Sequence, residues 1–406
     1  MRLLKNGDRP FHLGPFPLEV LPRDDGMATD EINRAPISPD ADRPLRAMLG
    51  SALREYRDIF AQVADGDVAP EPAPDTDDPD RCTIDIKGAA YFLDASQVGI
   101  CPIPGSAWRE GAAPDGNNLA IVILLEHQRI PHDEPIAENW VLGNLVEMAE
   151  MRLTEIAGNI AGHIRLMGCN ARVDPPGSRR LDEERLAVLA GLAGRQKDGT
   201  LANPYLDDFT LVVVSTDYKL TCDRPLAPAA LRARGLRYWW GINDAQSGRE
   251  RNRRARRPSW ASRYPMETVK RVDRPSTLIL DDEVPRVPKR AAFFERALQG
   301  DLGDKAQRER ARFSTKHPIS RSMVSSIRSM VPYQDGRVDE AADTSVLSDP
   351  AANARAIKAL SYFLGSDLTG ICEIPRYAWY SHKEDGTAIE MYHRYAIVML
   401  IDQGFE

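Results

Sequence analysis

The chain has 406 residues, of which 42% are hydrophobic and 28% charged, and a formal net charge of −7. That length exceeds one small core and fits two domains with connectors, while the acidic balance excludes a general attraction to nucleic acid or anionic lipid. No apolar run reaches the roughly 18 residues of a membrane span. The opening "MRLLKNGDRPFHLGPFPLEV" has neither a cleavable apolar core nor a twin-arginine signal, so the expected location is the cytoplasm, with no membrane partner.

In chain order, residues 1–81 hold one predicted helix, over 43–64, where apolar residues recur at three and four. It runs into "DGDVAPEPAPDTDDPD", an acidic, Pro-rich stretch expected to stay disordered because it has little apolar surface to bury. A folded region over 82–235 follows. Residues 87–93 read as helix, 97–103 as an extended run entering a Pro-containing turn, and 118–125 ("NLAIVILL") as a strand covered on both faces. A long amphipathic helix is predicted over 137–167 with Gly168 as its C-cap, and "FTLVVVS" from Phe209 as another buried strand. Alternating strands and helices make this an α/β region of mixed, layered α+β character.

Residues 236–345 change character. Six arginines crowd 249–257 in "SGRERNRRARRPSW", and later prolines and charges interrupt each apolar run, so an extended connector with short helices at 291–299 and 307–312 is expected. The arginine run reads as a solvated or docking segment and not as a nucleic-acid site, given the acidic chain around it.

The region 346–406 repeats what came earlier. "KALSYFLGSDLTGICEIPRYAW" from Lys358 matches "KGAAYFLDASQVGICPIPGSAW" from Lys87 at half its positions without a gap, and "AIVILLE" at Ala120 returns as "AIVMLID" at Ala396. This is read as a duplicated module. Gly99 and Gly370 sit inside its strand-like runs, where glycine marks a bulge or a close backbone approach. The first copy continues into the long helix while the second has only a few residues after its strand, so the second copy is expected to be incomplete.

The stretches "ALSYFLGSDLTGICEIPRYAWYSH" and "VPRVPKRAAFFERALQGDLGDKAQ", together with a first copy that repeats the second in degraded form, resemble the corrinoid-dependent reductive dehalogenases over residues 85–406. The likeness is to their cytoplasmic, non-respiratory branch. It implies a duplicated nitroreductase-like module whose second copy binds a cobamide (B12-type), two [4Fe–4S] clusters in a ferredoxin-like segment, and removal of halide from an organohalide. The family's acid tyrosine, its basic partner and its cluster cysteines fall downstream of the matched stretch. None is therefore carried over, and the chain is read as the N-terminal portion of such an enzyme, inactive alone, with its C-terminal half as partner. The alternatives are a freestanding cobamide- or flavin-binding module, or a scaffold subunit, of nitroreductase-like fold.

The loop "YAWYSHKEDG" gathers Tyr377, Trp379, Tyr380 and His382, flat rings of the kind that line ligand pockets, and these four are the candidate cofactor-binding residues. No catalytic or metal-ligating residue is assigned. Cys82, Cys101, Cys169, Cys222 and Cys372 lack the spacing of a zinc or iron–sulfur site and read as reduced, mostly buried thiols. His127 and His132 miss metalloprotease spacing, His163 stands alone, and there is neither a dinucleotide-binding glycine pattern nor a Walker loop.

Overall fold

The computed structural model describes residues 9–35, 48–74, 76–112, 114–128, 142–178, 180–242, 245–270, 272–273, 277–278, 280, 282–312, 317–333 and 348–402. These group into two compact units, Met1–Arg256 with His317–Val338 (and Gly404–Glu406), and Arg257–Lys316 with Asp339–Gln403.

The first unit opens with α1 (Gly26–Ile32) and α2 (Met48–Ala61), then α3 (Pro79–Phe92), β1 (Gln97–Pro102) and β2 (Leu119–Glu126). There follow α4 (Leu145–Leu166), β3 (Ala171–Asp174), α5 (Glu183–Leu189), a two-residue pairing of β4 (Gly194–Arg195) with β5 (Leu201–Ala202), β6 (Phe209–Thr216), α6 (Leu236–Trp240) and α7 (Gly248–Ala255). The four-stranded sheet has the order β1-β2-β6-β3, every pair antiparallel. Alternate strand residues face opposite sides, and both sides are covered. Ile121, Ile123, Val212 and Val214 meet α3 and α4 through Ile86, Leu153, Ile156 and Ile160. Val122, Leu124, Leu211 and Val213 meet the α5 region and Tyr205. Double coverage is why "NLAIVILL" carries no polar alternation.

Two expectations are corrected here. The helix of the first copy starts at Pro79, inside the stretch read as a loop, because Asp78 caps it: its carboxylate accepts from the N–H groups of Asp80 (3.1 Å) and Arg81 (3.2 Å). The acidic, Pro-rich stretch is laid along the end of α4, where Ala69 and Ala73 donate to the carbonyls of Arg165 (2.9 Å) and Met167 (3.0 Å). Backbone carbonyls left open at a helix end supply the partners that its side chains lack. The helix predicted over 137–167 begins at Leu145 among the described residues and ends, as expected, at a left-handed Gly168 (φ 88°); residues 137–141, like His132, lie outside them.

The connector is not uniformly extended. Its start joins the first unit through Tyr238, buried against Tyr205, and further on come α8 (Phe293–Leu298), α9 (Asp304–Arg312) and α10 (Pro318–Met330). Helix α10 packs on α4, with the Ser322 and Ser326 hydroxyls donating to the backbone and side-chain oxygens of Asn159 (2.9 and 3.0 Å).

The second unit ends in α11 (Pro350–Phe363), β7 (Leu368–Glu373) and β8 (Tyr395–Leu400). Its local geometry repeats that of α3, β1 and β2. Asp349 caps α11 with Pro350 behind it, as Asp78 and Pro79 do for α3. Asp94 (φ 72°) and Gly365 (φ 103°) are the left-handed residues after the two helices. Gly370 pairs with Val398 as Gly99 pairs with Val122, and Cys372 with Ala396 as Cys101 with Ala120. The Ser96 and Asp367 N–H groups close the two hairpins onto Leu124 (2.9 Å) and Leu400 (3.0 Å). What differs is cover: Ile121 is 0% exposed and Ile397 48%. Cys372 is exposed for the same reason, whereas Cys101 is buried; none of the five cysteines forms a disulfide.

Candidate functional site: an aromatic loop in the second unit

After β7, Pro375 leads into a single 3-10 turn, Arg376–Ala378, just as Pro104 leads into Gly105–Ala107 in the first unit. Proline fixes the entry angle, and the turn throws Trp379 and Trp108 out at equivalent places. Their surroundings then diverge. Trp108 is bridged to Leu181, and the Arg180 guanidinium lies 5.6 Å from its ring, so residues around α5 roof it over. Trp379 instead meets Tyr392 edge-on at 5.0 Å and His393 at 6.4 Å, and Tyr392 and His393 lie 4.4 Å apart.

Of the four residues singled out from the sequence, the structure places only Trp379 in this ring cluster. Tyr380 is 42% exposed with its ring in solvent, His382 is exposed with Nδ1 3.0 Å from the Ser381 hydroxyl, and Tyr377 is half-buried. Tyr392 and His393, on the return arm of the hairpin, were missed. The signal for them was present: with Arg394 and Tyr395 they lead into the repeated "AIV" at Ala396, where the run before Ala120 has no aromatic residue.

The backbone of the loop is held by the connector. Arg286 donates to the carbonyls of Tyr380 and Ile389 (both 2.6 Å) and reaches that of Trp379 at 3.4 Å. The Ser381 N–H donates to the Val287 carbonyl (2.8 Å), the Lys289 N–H to that of His382 (3.0 Å), and the Lys289 ammonium pairs with Glu384 (2.6 Å). One guanidinium gathering two or three carbonyls is a rigid clip, since its planar donors are already oriented. At the far end of the hairpin Arg263 pairs with Asp367, while the Tyr264 hydroxyl donates to Asp402 (2.7 Å), a bond that raises the Tyr264 pKa.

Elsewhere in the first unit, the ground beside α3 is closed. The N-terminal segment crosses it with Gly14 (φ 66°) against the Tyr91 ring, too close for any side chain. Arg23 donates to the carbonyls of Gly191, Arg224 and Leu18 (2.9, 2.8 and 2.9 Å), and Lys87 is paired with Asp223 at 2.7 Å. A cavity of about 160 Å³ remains there, below the roughly 300 Å³ at which small-molecule pockets begin. Among the described residues no group of three or more His, Cys, Asp or Glu is arranged to hold a metal ion, and no helix is long and apolar enough to cross a membrane.

No family model matches this chain, and no curated protein does. Solved structures do. The catabolic reductive dehalogenase NpRdhA, in complex with 3-bromo-4-hydroxybenzoic acid, is similar over 100% of this chain at 41% identity and a TM-score of 0.89. The fold matches that of a reductive dehalogenase. The same dehalogenase, N-terminally tagged, gives 42% identity and the same TM-score, and a reductive dehalogenase studied for B12-dependent dehalogenation gives 42% and 0.87. In each case the match covers 58% of the dehalogenase, so this chain spans a little over half the length of the structures it resembles.

Proposed function

We propose that this chain is the N-terminal part of a cytoplasmic, corrinoid-dependent reductive dehalogenase that removes halide from organohalides. The observation that supports it best is the likeness to one such enzyme along the whole chain at 41% identity. On this reading the two hairpin units are copies of one nitroreductase-like module. The first is closed and structural. The second is completed by the remainder of the enzyme, which also carries the two [4Fe–4S] clusters.

The uncovered state of β8 supports the same division. Ile397, Val398, Met399 and Leu400 are each about half-exposed, whereas Ile121, Val122, Ile123 and Leu124 are fully buried. Burying each such side chain is worth roughly 1.5–3 kcal/mol, so a surface like this calls for a partner.

The residues present fit one wall of a site for a flat macrocycle. Tyr380 and Tyr392 are exposed and Trp379 is half-buried against Tyr392, His382 and Tyr377 lie beside them in the loop, and Arg286 fixes the backbone that carries them. A bound corrinoid supplies the low-valent cobalt on which dehalogenation depends. This chain's contribution is to orient that ring system and exclude water from one side of it.

The test is to express the chain alone and joined to the sequence encoded after Glu406, both supplied anaerobically with cobalamin, and to measure halide released from a bromophenol. Turnover in the joined form only is expected; absence of turnover and of bound cobalamin in a well-folded joined form sinks the proposal.

A further inference from the structure

We propose that the groove between α6 and α7, in the first unit, binds a planar aromatic anion. It shares no residue with the aromatic loop at Trp379 and does not rest on the reading above. The groove encloses about 720 Å³ and is lined by Trp239, Trp240, Arg249, Asn252, Arg253 and Arg256, along with Ser247 and Glu250. That size lies within the roughly 300–1,000 Å³ of small-molecule sites.

The core dictates what the groove displays. Tyr238 is turned inward against Tyr205, and its hydroxyl accepts from Arg251 at 2.6 Å. With Tyr238 inside a single-turn helix, Trp239 and Trp240 are forced outward, 41% and 52% exposed. In α7, Gly248 lies against the Tyr238 ring, where a Cβ would come within 2.8 Å, and Arg251 points in to pair with Glu126. Helical spacing then sends 249, 252, 253 and 256 to the outer face.

The cations there are not equivalent. Glu250 accepts from Arg253 at 2.8 Å through both oxygens and from Arg254 at 2.9 Å, contacts that press its pKa down to about 2. Arg253 is thereby neutralised. Arg249 and Arg256 are exposed and have no carboxylate within ion-pair distance among the described residues, and the Arg249 guanidinium lies 5.4 Å from the Trp240 ring. Two open indole faces next to two uncompensated guanidiniums fit a flat ring that stacks while its anionic group takes a forked arginine contact. Such a ligand is an aromatic carboxylate or a mononucleotide; both present the same two features.

The experiment titrates the purified chain, at low ionic strength, with 4-hydroxybenzoate, with AMP and with neutral 4-hydroxybenzamide, by calorimetry and by indole fluorescence. Trp240→Ala and Arg249→Gln/Arg256→Gln are compared, their folding checked by circular dichroism, with Arg256→Gln alone as the mildest surface change. Binding of one or both anions at about 1 mM or tighter, weakened roughly tenfold by either main variant and absent for the amide, is expected. Preference between the two anions tells carboxylate from phosphate. The proposal fails if neither anion binds or if binding survives all the variants.

Discussion

Gly99 and Gly370 occupy the same register position in two hairpins, opposite Val122 and Val398, yet a methyl group on the first would come within 2.4 Å of the Ala190 carbonyl oxygen and on the second would meet nothing within 4 Å. Gly99→Ala therefore forces the end of α5 away from the sheet and is expected to cost roughly 1–3 kcal/mol. Gly370→Ala, at a strand position with open space, is expected to be neutral or to stabilise by about 0.5 kcal/mol through the unfolded chain. Urea unfolding of both variants checks this, and equal effects would contradict it. If the second hairpin is covered by a partner, as proposed above, in the way the first is covered here, Gly370→Ala turns harmful only after assembly.

A second prediction concerns acid. His163 lies in α4 at 6% exposure, its ring stacked on His317 at 6.0 Å and its Nδ1 without a partner. Burial first, and then the neighbouring His317, hold its pKa down to about 4 against an ordinary 6.5. The folded state keeps the imidazole neutral while the unfolded chain protonates it. Stability contributed by this residue is therefore whole above pH 6.5 and is lost as pH falls from 6.5 toward 4, by roughly 3 kcal/mol at most. Hydrogen exchange in α10, which docks beside it, is expected to quicken over that window in the native chain and much less in His163→Gln.

How far the sequence carried this picture depends on which residues carried the signal. The strands at Leu119 and Phe209 were legible because double coverage leaves long apolar runs, and the repeat was legible because turn residues such as Pro104 and Pro375 fix backbone geometry. The strand Ala171–Asp174 was not, being short and half polar. Helix Pro318–Met330 was also missed, although Ile319, Met323, Ile327 and Met330 recur at helical spacing; its docking contacts come from serines that bond to Asn159. In the candidate site, Trp379 was found from its own loop, but Tyr392 and His393 come from the other arm and Arg286 from the connector, contacts that only the hairpin's closure creates.

Two buried carboxylates give a third prediction. Glu183 Oε1 and Asp174 Oδ2 are enclosed without hydrogen-bond partners, and burial, with Asp174 nearby, pushes the Glu183 pKa well above its ordinary value. A carboxyl raised in the fold favours its protonated form, so it stabilises at low pH and opposes folding as pH rises past the unfolded value. Glu183→Gln keeps the shape and supplies an N–H, and is expected to raise the melting temperature at pH 7 by a few degrees, about 1 kcal/mol, with no gain at pH 4. A lower melting temperature at pH 7 would show that the carboxylate is satisfied.

Arg286→Ala removes the clip on the candidate site. The carbonyls of Tyr380 and Ile389 lose a charged donor, and the connector is left to hold the loop through the backbone bonds of Ser381 and Lys289 and the Lys289–Glu384 pair. Faster amide exchange confined to residues 379–389, with the melting temperature of the rest of the chain unchanged, is the expected outcome; Arg286→Lys should restore it only in part, because one ammonium can replace the nitrogen that serves Tyr380 and Ile389 but not the Nε that reaches the Trp379 carbonyl.

The last prediction concerns activity of the chain by itself. Reductive removal of halide needs an electron relay, a cofactor that carries the difficult chemistry, and an acid for the product carbon. Among the described residues no metal-holding cluster exists, and the aromatic loop is a single exposed wall. A wall with solvent on its other side neither encloses a macrocycle nor lowers the local dielectric, so it has little with which to favour a transition state over the free cofactor. The isolated chain, mixed anaerobically with cobalamin and a strong reductant, is therefore expected to release bromide from a bromophenol no faster than cobalamin alone. Tyr380→Phe and His382→Ala should leave that rate where it is, and the same two substitutions should lower cobalamin affinity in the joined protein if the loop is the wall proposed. Release well above the free-cofactor rate in the isolated chain, lost in either variant, would make this chain a catalyst in its own right and overturn the division of labour argued from β8.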